Sequence, residues 1–312
     1  MRSSFFILVV LVFSCTVPLD ISDEQFNSRI VVGGAVSNDR SPVILLSSEK
    51  AILDNLSEKD YLSGANVTLT SNNQEVASLV ERRNAIDSTL TDAGSYVALN
   101  FDSTIMALGS TYELRISKDG YSDVNAVVTI PDVKPIFEVD TSYLSKVGPS
   151  LFLNMIITIP RNQPIEFFQL YPIFRFGPYP IFEGANGIDL VDSSGREQTY
   201  LLPRADNIKL EDHLLDDFVF DENKIPENRK VSIQLLLPTL REEEREPAPE
   251  LILELRNLSE DYFRYIDTSL LQELQAGDPF SQPVDIFSNV KGGLGIVGSY
   301  SMSEIALRIE LN

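Results

Sequence analysis

The sequence holds one cysteine, Cys15, and one histidine, His213, and its 25 basic residues are outnumbered by 46 acidic ones. A lone cysteine excludes an intrachain disulfide framework. A lone histidine leaves relay catalysis and multi-histidine metal centres without parts, and no GxSxG nucleophile elbow occurs. His213 stands in Glu211-Asp212-His213-Leu214-Leu215-Asp216-Asp217, where adjacent side chains point apart. That stretch reads as a solvated loop, and no metal or cofactor is expected. A formal net charge of −21 argues against nucleic acid as a partner. A duplex repels such a surface, and no Lys/Arg cluster interleaved with aromatics reverses this locally. Beyond residue 13 no apolar run approaches the roughly 20 residues a spanning helix needs.

Hydrophobic residues make up 43% and charged ones 23% of the 312, so there is ample material for a packed interior. A chain of this length predicts two domains, because single cores rarely grow beyond roughly 250 to 300 residues.

The N-terminus carries Arg2 and then nine apolar residues, Phe5 to Phe13, which read as the h-region of an export signal. Val12-Phe13-Ser14-Cys15 resembles the bacterial lipobox, with a branched residue at −3 and a small one at −1, although Phe13 is bulky for −2. Residues 1–14 are therefore expected to be removed and Cys15 to carry lipid. An exported chain meets oxidising conditions, where an unpaired thiol is a liability unless it is used. Acyl chains bury at about 0.8 kcal/mol per CH₂, so a triacylated Cys15 would hold the protein on a membrane. Residues 15–27 form a polar, acidic tether.

From 28 to 131 the pattern is β. Ile30-Val31-Val32, Pro42 to Leu46, Val67-Thr68-Leu69, Tyr96 to Leu99, Tyr112 to Ile116 and Ala126 to Ile130 are short β-branched or aromatic runs. Gly, Asn, Asp and Ser separate them. Tyr112, Leu114 and Ile116 alternate with Glu113 and Arg115, as a strand with one solvated face requires. The spacing predicts an immunoglobulin-like antiparallel sandwich. Pro131-Asp132-Val133-Lys134-Pro135 ends its last strand, since proline cannot donate to a ladder. A linker over 132–148 and a second β-rich domain over 149–312 follow. Within that domain Phe263, Ile266, Leu270, Leu271 and Leu274 recur at helical spacing, with a start signal at Ser259 and Asp261 and a stop at Gly277 and Pro279. An amphipathic helix is expected over about 258–275.

Two features invite a functional reading. Gly293-Leu294-Gly295-Ile296-Val297-Gly298 matches the GxGxxG string, but the 14 residues after it read as a strand, with no helix to present to a pyrophosphate. Its glycines are better read as a turn and a close backbone approach. The second is an aromatic and proline-rich stretch containing Phe167, Phe168, Tyr171, Phe174, Phe176, Tyr179 and Phe182. It is either a core strand with a stiff loop or a docking surface for a partner or ligand. Arg241 to Pro247 reads as a solvated loop. Nothing singles out two of the 46 acids as a glycosidase pair.

Several blocks together resemble one family: Pro18-Leu19-Asp20-Ile21, Ile30-Val31-Val32-Gly33-Gly34, Ser63 to Leu69, Gly109 to Ile116 with Thr129-Ile130-Pro131, Asn257 to Tyr265, Asp278 to Val284, and Ser288 to Tyr300. The chain is similar to the Bacteroidota lipoproteins of domain of unknown function 4249, and least so over 141 to 250. The resemblance implies an outer-membrane lipoprotein, often encoded beside a TonB-dependent receptor, with no catalytic residues to carry over. In that phylum Asp87-Ser88-Thr89 and Asp102-Ser103-Thr104 also match a short O-glycosylation pattern. The expectation is a non-catalytic accessory protein, held in the outer membrane by its lipid, that docks on such a transporter or captures ligand for it. A carbohydrate-active enzyme using carboxylates and a structural or adhesive surface protein are the alternatives.

Overall fold

The computed structural model describes residues 28–49, 60–83, 91–98, 106–147, 150–161, 163–175, 182–184, 187–191, 197–199, 218–225, 227–237, 250–275, 282 and 284–309. Among the described residues the protein is mostly β with one α-helix. Seven strands come first: β1 (Ile30–Ser37), β2 (Val43–Ser48), β3 (Asn66–Ser71), β4 (Gln74–Arg83), β5 (Thr91–Ala98), β6 (Thr111–Ser117) and β7 (Val124–Thr129). Their spatial order is β1-β2-β5-β4-β3-β6-β7, the immunoglobulin-like ABED and CFG arrangement with its two sheets joined through the β3–β4 hairpin. Asn72 and Asn73 make that hairpin, both at positive φ (51° and 61°), the conformation a tight two-residue turn demands. The predicted alternation holds in β6, where Tyr112, Leu114 and Ile116 are buried. Tyr112 also accepts a hydrogen bond at its hydroxyl from the Ala107 N–H at 2.8 Å, the tyrosine corner of such sandwiches.

The remaining strands are β8 (Glu138–Val147), β9 (Ser150–Thr158), β10 (Phe167–Arg175), a separate ribbon β11 (Phe182–Gly184), β12 (Gly187–Val191) and β13 (Glu197–Thr199), then β14 (Phe218–Asp221), β15 (Lys230–Leu237), β16 (Glu250–Leu258), β17 (Val290–Lys291) and β18 (Leu294–Arg308). Helix α1 (Glu260–Gln275) lies where its periodicity placed it. A sheet β15-β9-β8 faces β14-β10-β16-β18, and Met155, Ile157, Ile233, Phe168, Leu170, Leu253 and Leu255 fill the space between. Residues 138–147 are therefore a strand rather than part of the expected 132–148 linker. Val139 and Leu144 pack on this second core, which a free linker would not do.

The 15-residue β18 serves both halves. Leu294–Tyr300 pair in parallel with β1, and Tyr300–Arg308 pair antiparallel with β16. Val290 and Val297 accordingly sit in the first core, although they come last in the chain. Side chains seal β18 to its other neighbours. Asn289 bonds both the N–H and the carbonyl of Val297 at 3.1 and 2.9 Å. The Ser299 hydroxyl donates to Thr129 O at 2.7 Å, and that of Ser301 to Val133 O at 2.5 Å. Each hydroxyl satisfies a carbonyl that no ladder reaches, as buried backbone requires.

Candidate functional site

Register assembles one polar row on the outer face of the first sandwich. Thr68 of β3 lies opposite Arg115 of β6, Arg115 opposite Asn125 of β7, and Asn125 opposite Lys291 of β17. In-facing Ile116 and Val124 are 2% exposed, so alternation turns the row residues outward. These four residues, with Asn66, Ser117 and Asp123 at the end of the row, line an open cavity of about 500 Å³. One wall depends on Gly292. Its φ is +80°, and a Cβ there would stand 2.4 Å from the Asp123 carbonyl oxygen, so only glycine lets the turn after β17 close onto β7.

The row is incompletely satisfied. Arg115 donates from Nη2 to Glu113 Oε2 at 2.6 Å. That hydrogen bond is the largest influence on the Glu113 carboxyl and, against an opposing desolvation and with help from the charges of Arg115 and Lys291, holds it below the usual carboxylate range. Lys291 forms no ion pair among the described residues, and the shielded Asn125 Oδ1 has no hydrogen-bond partner there. The far end of the same face is closed by contrast. The Thr111 and Thr129 hydroxyls meet at 2.8 Å, and Ser71 Oγ donates to Thr111 O at 3.0 Å. Chemically, the groove offers hydrogen-bond donors and acceptors, two cations and, at the end of the row, the Asp123 carboxylate. Among the described residues no three His, Cys, Asp or Glu side chains gather closely enough to hold a metal ion.

A second polar group lies inside, on the face of β10, β16 and β18 that α1 partly covers. Glu254, wholly buried, accepts from Arg40 at 2.5 Å and from Arg256 Nε and Nη2 at 2.9 and 2.7 Å. Arg40 reaches on to Glu304 at 3.1 Å, and Arg256 Nη1 donates to Gln169 Oε1 at 3.1 Å. The Arg256 guanidinium is packed between Tyr171 and Tyr300, 3.9 and 4.5 Å from the two ring centroids. Burial pulls its pKa down, but Tyr300, Glu254 and Tyr171 outweigh that and hold it above the ordinary arginine value. This closed cluster pins the β1–β2 connection to β16.

The expected aromatic docking surface is corrected where its side chains are described. Phe168 is fully buried and stacks on Phe220 at 5.5 Å between centroids. Tyr171 is buried under Arg256, and Phe167 stacks on Phe263 of α1 at 4.1 Å. β10 is covered on both faces, which is why it reads as a continuous apolar and aromatic run. The side chains of Phe174 and Phe182 are outside the described residues, as are Phe176, Tyr179, Cys15, His213, the 241–247 loop and both serine–threonine motifs.

The GxGxxG glycines are structural. A Cβ on Gly293, Gly295 or Gly298 would stand 2.5 Å from Ile30 O, 2.0 Å from Val32 O, and 2.4 Å from the Tyr262 ring, respectively. They seat β18 against β1 and under α1. Sequence reasoning missed the Thr68, Arg115, Asn125 and Lys291 row, because its members come from four separate strands and only register unites them.

The family model described as "Domain of unknown function (DUF4249)" matches residues 16–306. None of the curated proteins matches the sequence. Among solved structures, the chain is similar to a protein from Bacteroides uniformis described as a "putative carbohydrate binding protein", at 9% identity and a TM-score of 0.21, over 90% of this chain and 98% of that one. At that score the two backbones superpose poorly, and the ligand class in the description belongs to the other protein. No described helix is long and apolar enough to cross a membrane.

Proposed function

The chain belongs to the DUF4249 family, and from that premise we propose that it is a non-catalytic accessory lipoprotein of the outer membrane, tethered through Cys15, which captures ligand for a TonB-dependent transporter. The observation that carries the capture reading is the open row of Thr68, Arg115, Asn125 and Lys291, a polar groove in which the shielded Asn125 Oδ1 has no hydrogen-bond partner among the described residues. The shared strand β18 and the Arg40, Glu254 and Arg256 cluster support it, because they fix the groove-bearing sandwich to the second half of the protein. A capture surface gains affinity when it is held in one orientation instead of being ordered on binding.

The anchor and the partner are tested together by fractionation and purification. Cys15→Ser is expected to move the protein from the membrane to the soluble fraction, and wild type extracted in mild detergent to bring an outer-membrane transporter with it. Retention of Cys15→Ser in the membrane would overturn the lipid anchor. Recovery of wild type alone at every salt concentration would overturn the transporter partner.

A further inference from the structure

We propose that the ligand of the row is a carboxylated sugar polymer. The inference rests on reading this face as the capture surface and adds the chemical class. Three properties of the groove select it. The lining mixes donors and acceptors on adjacent strands, and a sugar hydroxyl, being both, satisfies either kind. Asn125 Oδ1 is shielded from solvent and has no hydrogen-bond partner among the described residues, a state that a ligand hydroxyl would relieve. The lining residues with apolar side chains, Ile116 and Val124, are turned into the core, so neither presents a hydrophobic side chain to a peptide.

Charge adds the carboxylate. In a chain of net −21, Arg115 and Lys291 stand one strand to either side of Asn125, about 4.8 Å away in each direction. Arg115 is already engaged by Glu113, whereas Lys291, which attracts Glu113 from a distance and shares the groove with Asp123, forms no ion pair among the described residues. A carboxylate therefore docks on the Lys291 side, and neighbouring hydroxyls lie across Asn125 towards Thr68. The row spans three inter-strand steps, or about 14 Å, more than one sugar ring covers. An oligomer fits it.

The test is calorimetric titration of the full protein, purified in detergent, with oligogalacturonate. Its methyl ester, which has the same hydroxyls without the charge, and polyglutamate, which has the charge without the hydroxyls, serve as comparison ligands. Binding of oligogalacturonate is expected to weaken with salt, as screening dictates. Affinity is expected to fall about tenfold or more for the methyl ester, for polyglutamate, for Lys291→Met and for Asn125→Leu, consistent with loss of a charged or buried hydrogen bond. Lys291→Met should melt like wild type, since its side chain is exposed. Equal binding of the ester or of polyglutamate, or no binding of oligogalacturonate, overturns the inference. If that happens while the transporter still co-purifies, only the ligand class is lost; a protein that binds the oligomer but lacks a partner loses only the accessory role.

Discussion

Two polar groups of this molecule use similar residues in opposite ways. Around Glu254 two guanidinium groups, an amide and two tyrosine rings close on one another, and the carboxylate is inaccessible. Along the Thr68 to Lys291 row an arginine, a lysine and an amide stand on an open sheet face, and an amide oxygen there goes without a partner. Composition does not separate them. Accessibility does, because the charges of the first group are shut in with one another, although Arg40 Nε has no hydrogen-bond partner among the described residues, while the second stands on an open face that can take up something else. The first group holds the fold in register, and the second has the properties of a binding face.

The contrast can be broken most forcefully at Glu254. Glu254→Leu leaves the buried Arg256 without its counter-charge and Arg40 with Glu304 alone, and loss of one member of a buried ionic group costs roughly 3 to 5 kcal/mol. Urea unfolding should show that loss, and a change below about 1 kcal/mol would mean the cluster is not structural.

A smaller effect is expected where β18 meets β1. Gly295→Ala places a Cβ 2.0 Å from Val32 O at a φ of +96°, and the backbone term alone costs about 1 to 3 kcal/mol. Gly33 has nothing within 4 Å of its would-be Cβ, so Gly33→Ala should change stability far less in the same melt. Equal effects would show that close approach is not what the glycines of β18 provide.

The smallest expected effect lies beside the groove. Glu113 titrates below its ordinary value in the folded protein because Arg115 bonds its charged form. Its contribution is therefore complete above the unfolded carboxylate pKa of roughly 4.3 and is lost as the pH falls through the lower folded value. For so exposed a pair the contribution is small, because solvent screens it. Comparing wild type with Glu113→Gln, the difference in melting temperature should shrink below pH 4 or so; a difference that grows with acid would reverse the assigned sign.

Much of the first sandwich was legible because each of its strands presents one face to water and alternates accordingly, as in Tyr112, Leu114 and Ile116. β4 was not, since Gln74–Arg83 mixes charged ends with a weak alternation. β8 was hidden in an apparent linker for a similar reason. The aromatic stretch around Phe168 misled in the other direction: a strand covered by the second core on one side and by α1 and Arg256 on the other has the composition of a sticky surface while being interior. The cluster around Glu254 and the row ending at Lys291 are products of pairing between distant segments, Arg40 with β16 and β3 with β17 by way of β6 and β7. No local pattern encodes such meetings. The glycines after Lys291 were the nearest signal, and they report backbone contact rather than ligand.

The distinction between the closed and the open polar group is tested most directly by titrating oligogalacturonate into wild type and Lys291→Met while following the melting temperature of both. The account predicts about a tenfold or greater loss of affinity with no change in melting. Unchanged affinity, or a loss of affinity that comes with a loss of stability, would contradict it.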